Sequence, residues 1–150
     1  MVHTTYSKAP GLSEALDTPS FFNDRLSKES SIQRFKTEGG AFVAAGCAEG
    51  LDLPGDLCRL NIIPKLNYPD LSDPAVKRRR GEADGETWYM LETLKQTIQQ
   101  SGRSTRHEAD WSNTVVMDPQ FSRYVNKCYK HLPKYFTDAI RWDGKGEVRG

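Results

Sequence analysis

Apolar residues recur along this chain in two rhythms. Compact runs, Phe42-Val43-Ala44-Ala45 and Thr114-Val115-Val116-Met117, together with the stretch from Leu57 to Ile63, have the length and continuity of buried strands. Val2 to Tyr6 and Phe21-Phe22 are shorter β-prone pieces. Between these runs the apolar positions open out to helical spacing. Ser30 or Ser31 can cap a helix that carries Ile32 and Phe35 and stops at Gly39-Gly40, and a longer helix from about Thr87 to Gln100 repeats its apolar positions at Tyr89 or Met90, Leu94 and Ile98. Two more helices are expected, one around Ser13 to Leu16 that Thr18-Pro19 ends, and one from Phe121 to Tyr129. Asp73-Pro74 pairs an N-cap with a proline at the first helical position, opening a helix that runs into Lys77-Arg78-Arg79-Arg80 before Gly81 to Gly85 breaks it.

Strands and helices therefore alternate. That alternation predicts an α/β fold, a mostly parallel sheet covered by helices on both faces, with ligands at the carboxyl ends of the strands. A chain of 150 residues suffices for one such domain with a hydrophobic core, so 1–150 is expected to be a single domain with 143–150 a flexible tail.

Charge and cysteine content narrow the classes open to it. The 21 Lys and Arg against 20 Asp and Glu leave a net charge of +1, so any nucleic-acid contact must come from a local patch rather than from a basic domain. Lys77-Arg78-Arg79-Arg80 is the strongest such patch, although a basic run at a helix C-terminus is more often a solvated end favoured by the helix dipole. Cys47, Cys58 and Cys128 are too few and too scattered for a disulfide framework or a four-ligand metal site, which points to a reducing compartment and to no metal held by this chain. No apolar run approaches the roughly 20 residues that cross a bilayer, and the polar N-terminus lacks a signal-peptide core. The expectation is a protein that is not secreted and makes no membrane contact, cytoplasmic in a prokaryote or phage and nuclear in a eukaryote.

Chemistry concentrates in Gln99-Gln100-Ser101-Gly102-Arg103-Ser104-Thr105-Arg106. This Q-x-x-G-R-x-x-R run holds two guanidinium groups three residues apart beside a glycine, and arginine presents a planar fork of donors that stays charged at any working pH. Such a pair can neutralise charge on a transferring phosphoryl group, although Arg at i and i+3 is also common on a solvated helix face. Upstream, Glu49-Gly50-Leu51-Asp52-Leu53-Pro54-Gly55-Asp56 follows the strand at Phe42 to Ala45, and the segment after the next strand ends in Lys65-Leu66-Asn67-Tyr68-Pro69. No G-x-x-x-x-G-K-[ST] phosphate loop occurs. Asp118 closes the run Thr114 to Met117 in the manner of a magnesium-binding strand, but without a phosphate loop it reads better as a loop-capping carboxylate. His107-Glu108-Ala109-Asp110 reads as solvated surface.

The arginine run, the E-G-x-D-L-P-G-D segment and the K-x-x-Y-P turn together resemble the C-terminal, second RecA-like domain of superfamily 2 DNA helicases of the DinG- and XPD-like branch. The resemblance covers nearly the whole chain. It implies the P-loop NTPase-like fold without its own phosphate loop, and an ATP site divided between two domains. ATP and Mg²⁺ would act in the full-length enzyme, with the Mg²⁺ ligands in a missing N-terminal RecA-like domain and none bound by this fragment alone. Arg106 would be the finger on the γ-phosphate, Arg103 its neighbour, and Gln99 would orient the nucleotide or the attacking water. Gly102 would permit close approach, and Glu49, Gly50 and Asp52 would form a coupling loop with Asp52 near the ribose; capping is the structural alternative for Glu49 and Asp52. His3, Thr4, Thr5 and Tyr6 form one candidate cluster for single-stranded DNA, and Lys65 and Tyr68 a second. Tyr6 and Tyr68 are equally compatible with packing. An iron-sulfur cluster, found in the first half of some relatives, is not encoded here.

Two departures from the family pattern stand out. Gly46, preceded by Ala44 and Ala45, replaces the hydroxyl residue common before the coupling loop, and Asp118-Pro119-Gln120 replaces Asp-x-Arg, so Asp118 takes no catalytic role. The implied function is the C-terminal motor domain of an ATP-dependent 5′ to 3′ DNA helicase, inactive as an isolated fragment. The alternative is a stand-alone nucleic-acid-binding or regulatory module that keeps the fold without ATPase activity.

Overall fold

The computed structural model describes residues 1–5, 7–22, 28–45, 53, 55–102 and 111–142. The chain divides into a sheet unit, Met1–Lys65 with Gln100–Met117, and a helical unit, Leu66–Gln99 with Asp118–Gly150. In the sheet unit five strands, β1 (Val2–Thr4), β2 (Ser20–Phe22), β3 (Ala41–Ala45), β4 (Leu60–Ile63) and β5 (Asn113–Val116), form one sheet in the order β2-β3-β1-β4-β5. Every pairing is parallel: Phe21 lies opposite Phe42, Val2 opposite both Val43 and Ile62, and Ile62 opposite Val115. The fold is the α/β class that the alternation predicted.

Side chains alternate across a strand, and β3 shows why its sequence is apolar throughout. Phe42 and Ala44 point into a core with Phe21, Phe35, Leu53 and Cys58, against which Ile32 packs. Val43 and Ala45 point into a second core with Ala9, against which Leu12, Leu16 and Phe22 pack. Helices α1 (Ala9–Glu14) and α2 (Lys28–Glu38) thus cover opposite faces of the sheet at β2 and β3. Phe35 joins the rings of Phe21 and Phe42 at 6.4 and 5.4 Å, and each fully buried side chain of this size contributes about 1.5–3 kcal/mol. Gly39 and Gly40 end α2 with φ of +72° and +100°. At Gly40 a Cβ would collide with the Pro19 carbonyl, whose oxygen accepts the Ala41 N–H at 2.8 Å and sets the start of β3.

The helical unit contains α3 (Pro74–Arg80), most of α4 (Gly85–Ser101, whose last two residues belong to the sheet unit), α5 (Gln120–Cys128) and α6 (Lys134–Ala139). Asp73 caps α3 as expected, its Oδ1 accepting the Ala75 N–H at 2.8 Å. Gly85 opens α4 so close to the end of α3 that a Cβ there would overlap the Arg80 carbonyl. Tyr89, Met90 and Leu94 of α4 and Phe121, Val125 and Cys128 of α5 are buried. Phe121 also packs against Phe136 and Trp142.

Several boundaries differ from the sequence expectation. Helix α1 starts at Ala9, earlier than Ser13, because Pro10 falls in the first turn where its missing N–H leaves no bond unmade. Helix α2 starts at Lys28, ahead of the serines. The expected strand from Leu57 is shorter: Gly55–Leu57 form a 3₁₀ turn, and β4 begins only at Leu60. Helix α6, after a 3₁₀ turn at Tyr129–His131, was not anticipated. The tail expected at 143–150 lies outside the described residues.

Candidate functional site

Because all five strands run the same way, their carboxyl ends share one edge of the sheet. The segments that follow the three adjacent strands β3, β1 and β4 are the ones that carry candidate residues: 46–52 after β3, Thr5 after β1 and Lys65 after β4. Of these, Glu49, Gly50 and Asp52 lie outside the described residues, as does Tyr6, while Thr5 and Lys65 are exposed and Thr4 is half-buried. Thr5 also starts the turn into α1, its carbonyl accepting the N–H groups of Lys8 and Ala9 at 3.0 and 3.1 Å.

His3 requires a correction. It is 5 % exposed in the central strand, opposite Ala44, so its imidazole is inside the fold rather than facing a DNA strand. Tyr68 requires another. Its hydroxyl donates to Asp118 Oδ2 at 3.2 Å, its ring stacks on Tyr89 at 6.3 Å, and the edge of Tyr124 meets it at 6.1 Å. Burial pushes its hydroxyl pKa well above the ordinary tyrosine value, with the Asp118 carboxylate adding to the shift. Packing therefore accounts for Tyr68, and it is not open as a platform for a base.

Asp118 is a buried cap. Oδ2 accepts the Leu66 N–H at 3.0 Å as well as the Tyr68 hydroxyl, and Oδ1 accepts the Gln120 N–H at 2.9 Å at the start of α5. All of its bonds are structural, in line with the loop-capping reading. The basic run divides in two. Arg79 pairs with Glu82 and Asp84, and Arg80 with Glu86, while their guanidinium groups lie over the rings of Trp88 and Tyr89 at 5.4 and 4.5 Å. These carboxylates raise both arginine pKa values. Lys77 and Arg78 are exposed.

The arginine motif begins at the end of α4. Gln99 and Gly102 are exposed, and a Cβ at Gly102 would meet no atom within 4 Å, so packing does not demand the glycine. Arg103 and Arg106 lie outside the described residues, as does the stretch from His107 to Asp110. The chain re-enters at Trp111, two residues ahead of β5, where Arg59 fixes it. The Arg59 guanidinium donates to the Trp111 carbonyl at 2.6 Å, lies over its ring at 4.8 Å and pairs with Asp56 at 2.8 Å. Asn61, on β4, fixes the other side. Wholly buried, its Nδ2 donates to the Gln100 carbonyl at 3.0 Å. Asn61 Oδ1 and Gln100 Oε1 are buried and meet no donor among the described residues, at a cost of about 1–3 kcal/mol each. Sequence reasoning missed both residues, although an asparagine inside the apolar run Leu60-Asn61-Ile62-Ile63 is a visible departure.

Among the described residues no group of His, Cys, Asp and Glu could hold a metal ion, and no helix is long and apolar enough to cross a membrane. Residues 1–138 match the family of the helicase C-terminal domain. The chain is similar to the Fanconi anemia group J protein homolog of Gallus gallus, 28% identical over 135 residues that cover 80% of this chain and 11% of that protein. It is also similar to the Regulator of telomere elongation helicase 1 homologs of Drosophila willistoni and Drosophila melanogaster, 34% and 33% identical over 108 residues, or 62% of this chain and 11% of each. The matched region spans about 11% of the length of these relatives.

Proposed function

This chain belongs to the helicase C-terminal domain family, and on that footing we propose that it supplies one wall of a divided ATP site in a DNA helicase that moves 5′ to 3′ on single-stranded DNA. An N-terminal RecA-like domain would hold the ATP phosphates and Mg²⁺. The observation that carries the reading is the parallel sheet itself, which lines up the segments after β3, β1 and β4 on one edge, where open α/β sheets bind their ligands.

In this reading the attacking water forms a bond to the γ-phosphorus while the bond to the bridging oxygen of ADP breaks, and charge spreads over the γ-phosphoryl oxygens. Arg106 neutralises that charge, Arg103 supports it, and Gln99 orients the water or nucleotide. The bare backbone of Gly102, unfilled by packing, leaves room for close approach. Glu49, Gly50 and Asp52 couple nucleotide state to the strand. Thr4, Thr5 and Lys65 are the contacts to the DNA backbone, with His3 and Tyr68 left to the interior.

The reading is tested by steady-state ATP hydrolysis with and without single-stranded DNA. The pure chain is expected to show no turnover and no calorimetric ATP binding in the micromolar range, whereas a helicase that contains this domain hydrolyses ATP and unwinds substrates with a 5′ overhang. Turnover by the isolated chain at a rate typical of helicases would overturn the divided site.

A further inference from the structure

We propose that Asn61 is a positioning residue for the arginine run, an inference that rests on the function proposed above. The last four carbonyls of a helix have no partner within it, and they need donors from elsewhere. At the end of α4 one such donor comes from the sheet: Asn61 Nδ2 binds the carbonyl of Gln100 at 3.0 Å. The orientation of the amide follows from that partner, because a carbonyl can only accept. Two residues beyond Gln100 the chain reaches Gly102, and directly after it the two arginines.

The bond therefore fixes the last point from which Arg103 and Arg106 depart. Downstream, the Arg59 guanidinium holds the Trp111 carbonyl at 2.6 Å. The arginine segment is thus tied at both ends to β4 or to the residue just before it, and the upstream tie is a single side chain. Asn61 is also an expensive way to fill this position, since its Oδ1 is buried and meets no donor among the described residues. A leucine of similar size would fill the space without stranding an acceptor, but it could not hold the Gln100 carbonyl. A locally unfavourable choice at the root of a catalytic segment marks placement rather than packing as the use of the residue.

The test is a double-mutant cycle in a helicase that contains this domain, with Asn61→Leu, Arg106→Ala and the pair, reading kcat and KM for ATP, DNA affinity and the melting midpoint. Asn61→Leu is expected to lower kcat on the order of tenfold to a hundredfold with little change in KM or DNA affinity, since a small misplacement of a catalytic group is enough for such a loss. In the Arg106→Ala background it is expected to lower kcat no further. An equal loss in both backgrounds, or full turnover by Asn61→Leu, overturns the positioning role while leaving the arginine reading intact. Near-normal turnover by Arg106→Ala alone overturns that reading instead. If Asn61→Leu does not fold, Asn61→Ser, which shortens the donor without adding bulk, enters the same cycle with the same outcomes.

Discussion

The two units of this chain are held by different physics. The sheet unit is built on apolar burial: Phe42, Val43, Ala44 and Ala45 are fully enclosed, and helices α1 and α2 cover the two faces there. The helical unit relies more on polar and aromatic pairing, with Asp118 gathering three donors, Tyr68, Tyr89 and Tyr124 in contact, and Arg79 and Arg80 committed to carboxylates and rings. The difference bears on function. The helical unit's described charged and aromatic groups are largely spent on its own structure, so the residues left open for ligands are those after the strands and at the end of α4.

The comparison would break first in the sheet. Phe42→Ala is expected to cost about 3–5 kcal/mol in denaturant unfolding, whereas Val115→Ala on the half-exposed edge strand costs about 0.5 kcal/mol or less. Equal losses at the two positions would contradict a core centred on β3. Asp118→Ala comes next, at about 1–3 kcal/mol, because it leaves the buried Leu66 N–H without its acceptor. Its kcat in a helicase that contains this domain should hold once stability is matched, and a selective loss of turnover would return Asp118 to the chemistry.

The smallest expected effect is a pH dependence confined to the helical unit. Burial raises the pKa of Tyr68, and to a lesser degree those of Tyr89 and Tyr124, above the unfolded value near 10. The unfolded state therefore loses these protons first. The stability from the neutral hydroxyls is complete below that value and drains away as pH rises towards the folded pKa. The unfolding midpoint should fall at alkaline pH, and Tyr68→Phe should flatten the fall. An unchanged slope in that variant would remove Tyr68 from the network.

How much of this could be read in advance follows the same division. Strand β3 and helix α2 were legible because enclosed strands read as continuous apolar runs and Gly39-Gly40 marks a stop that φ values of +72° and +100° require. Asp73-Pro74 was legible as a local cap. Helix α1 was displaced because Ala9-Pro10-Gly11 offers little apolar contrast, and α6 was missed because the short Lys134–Ala139 follows Pro133 without a strong period. The bonds of Asp118 to Leu66, 52 residues away, and of Asn61 to Gln100, 39 residues away, leave no periodic trace at all. Site residues were legible as a family pattern, but whether a tyrosine packs or faces solvent depends on partners such as Tyr89 and Asp118 that only the fold brings together.

The central claim is that the arginine run acts on the breaking phosphoryl bond, and Arg106→Ala in a helicase that contains this domain tests it most directly. The account predicts a loss of about 10³-fold or more in DNA-stimulated ATP turnover, with ATP and DNA affinities changed far less. Arg106→Lys should fail as well, since an ammonium cannot reproduce the planar fork. A folded Arg106→Ala variant that keeps near-normal turnover would contradict the account.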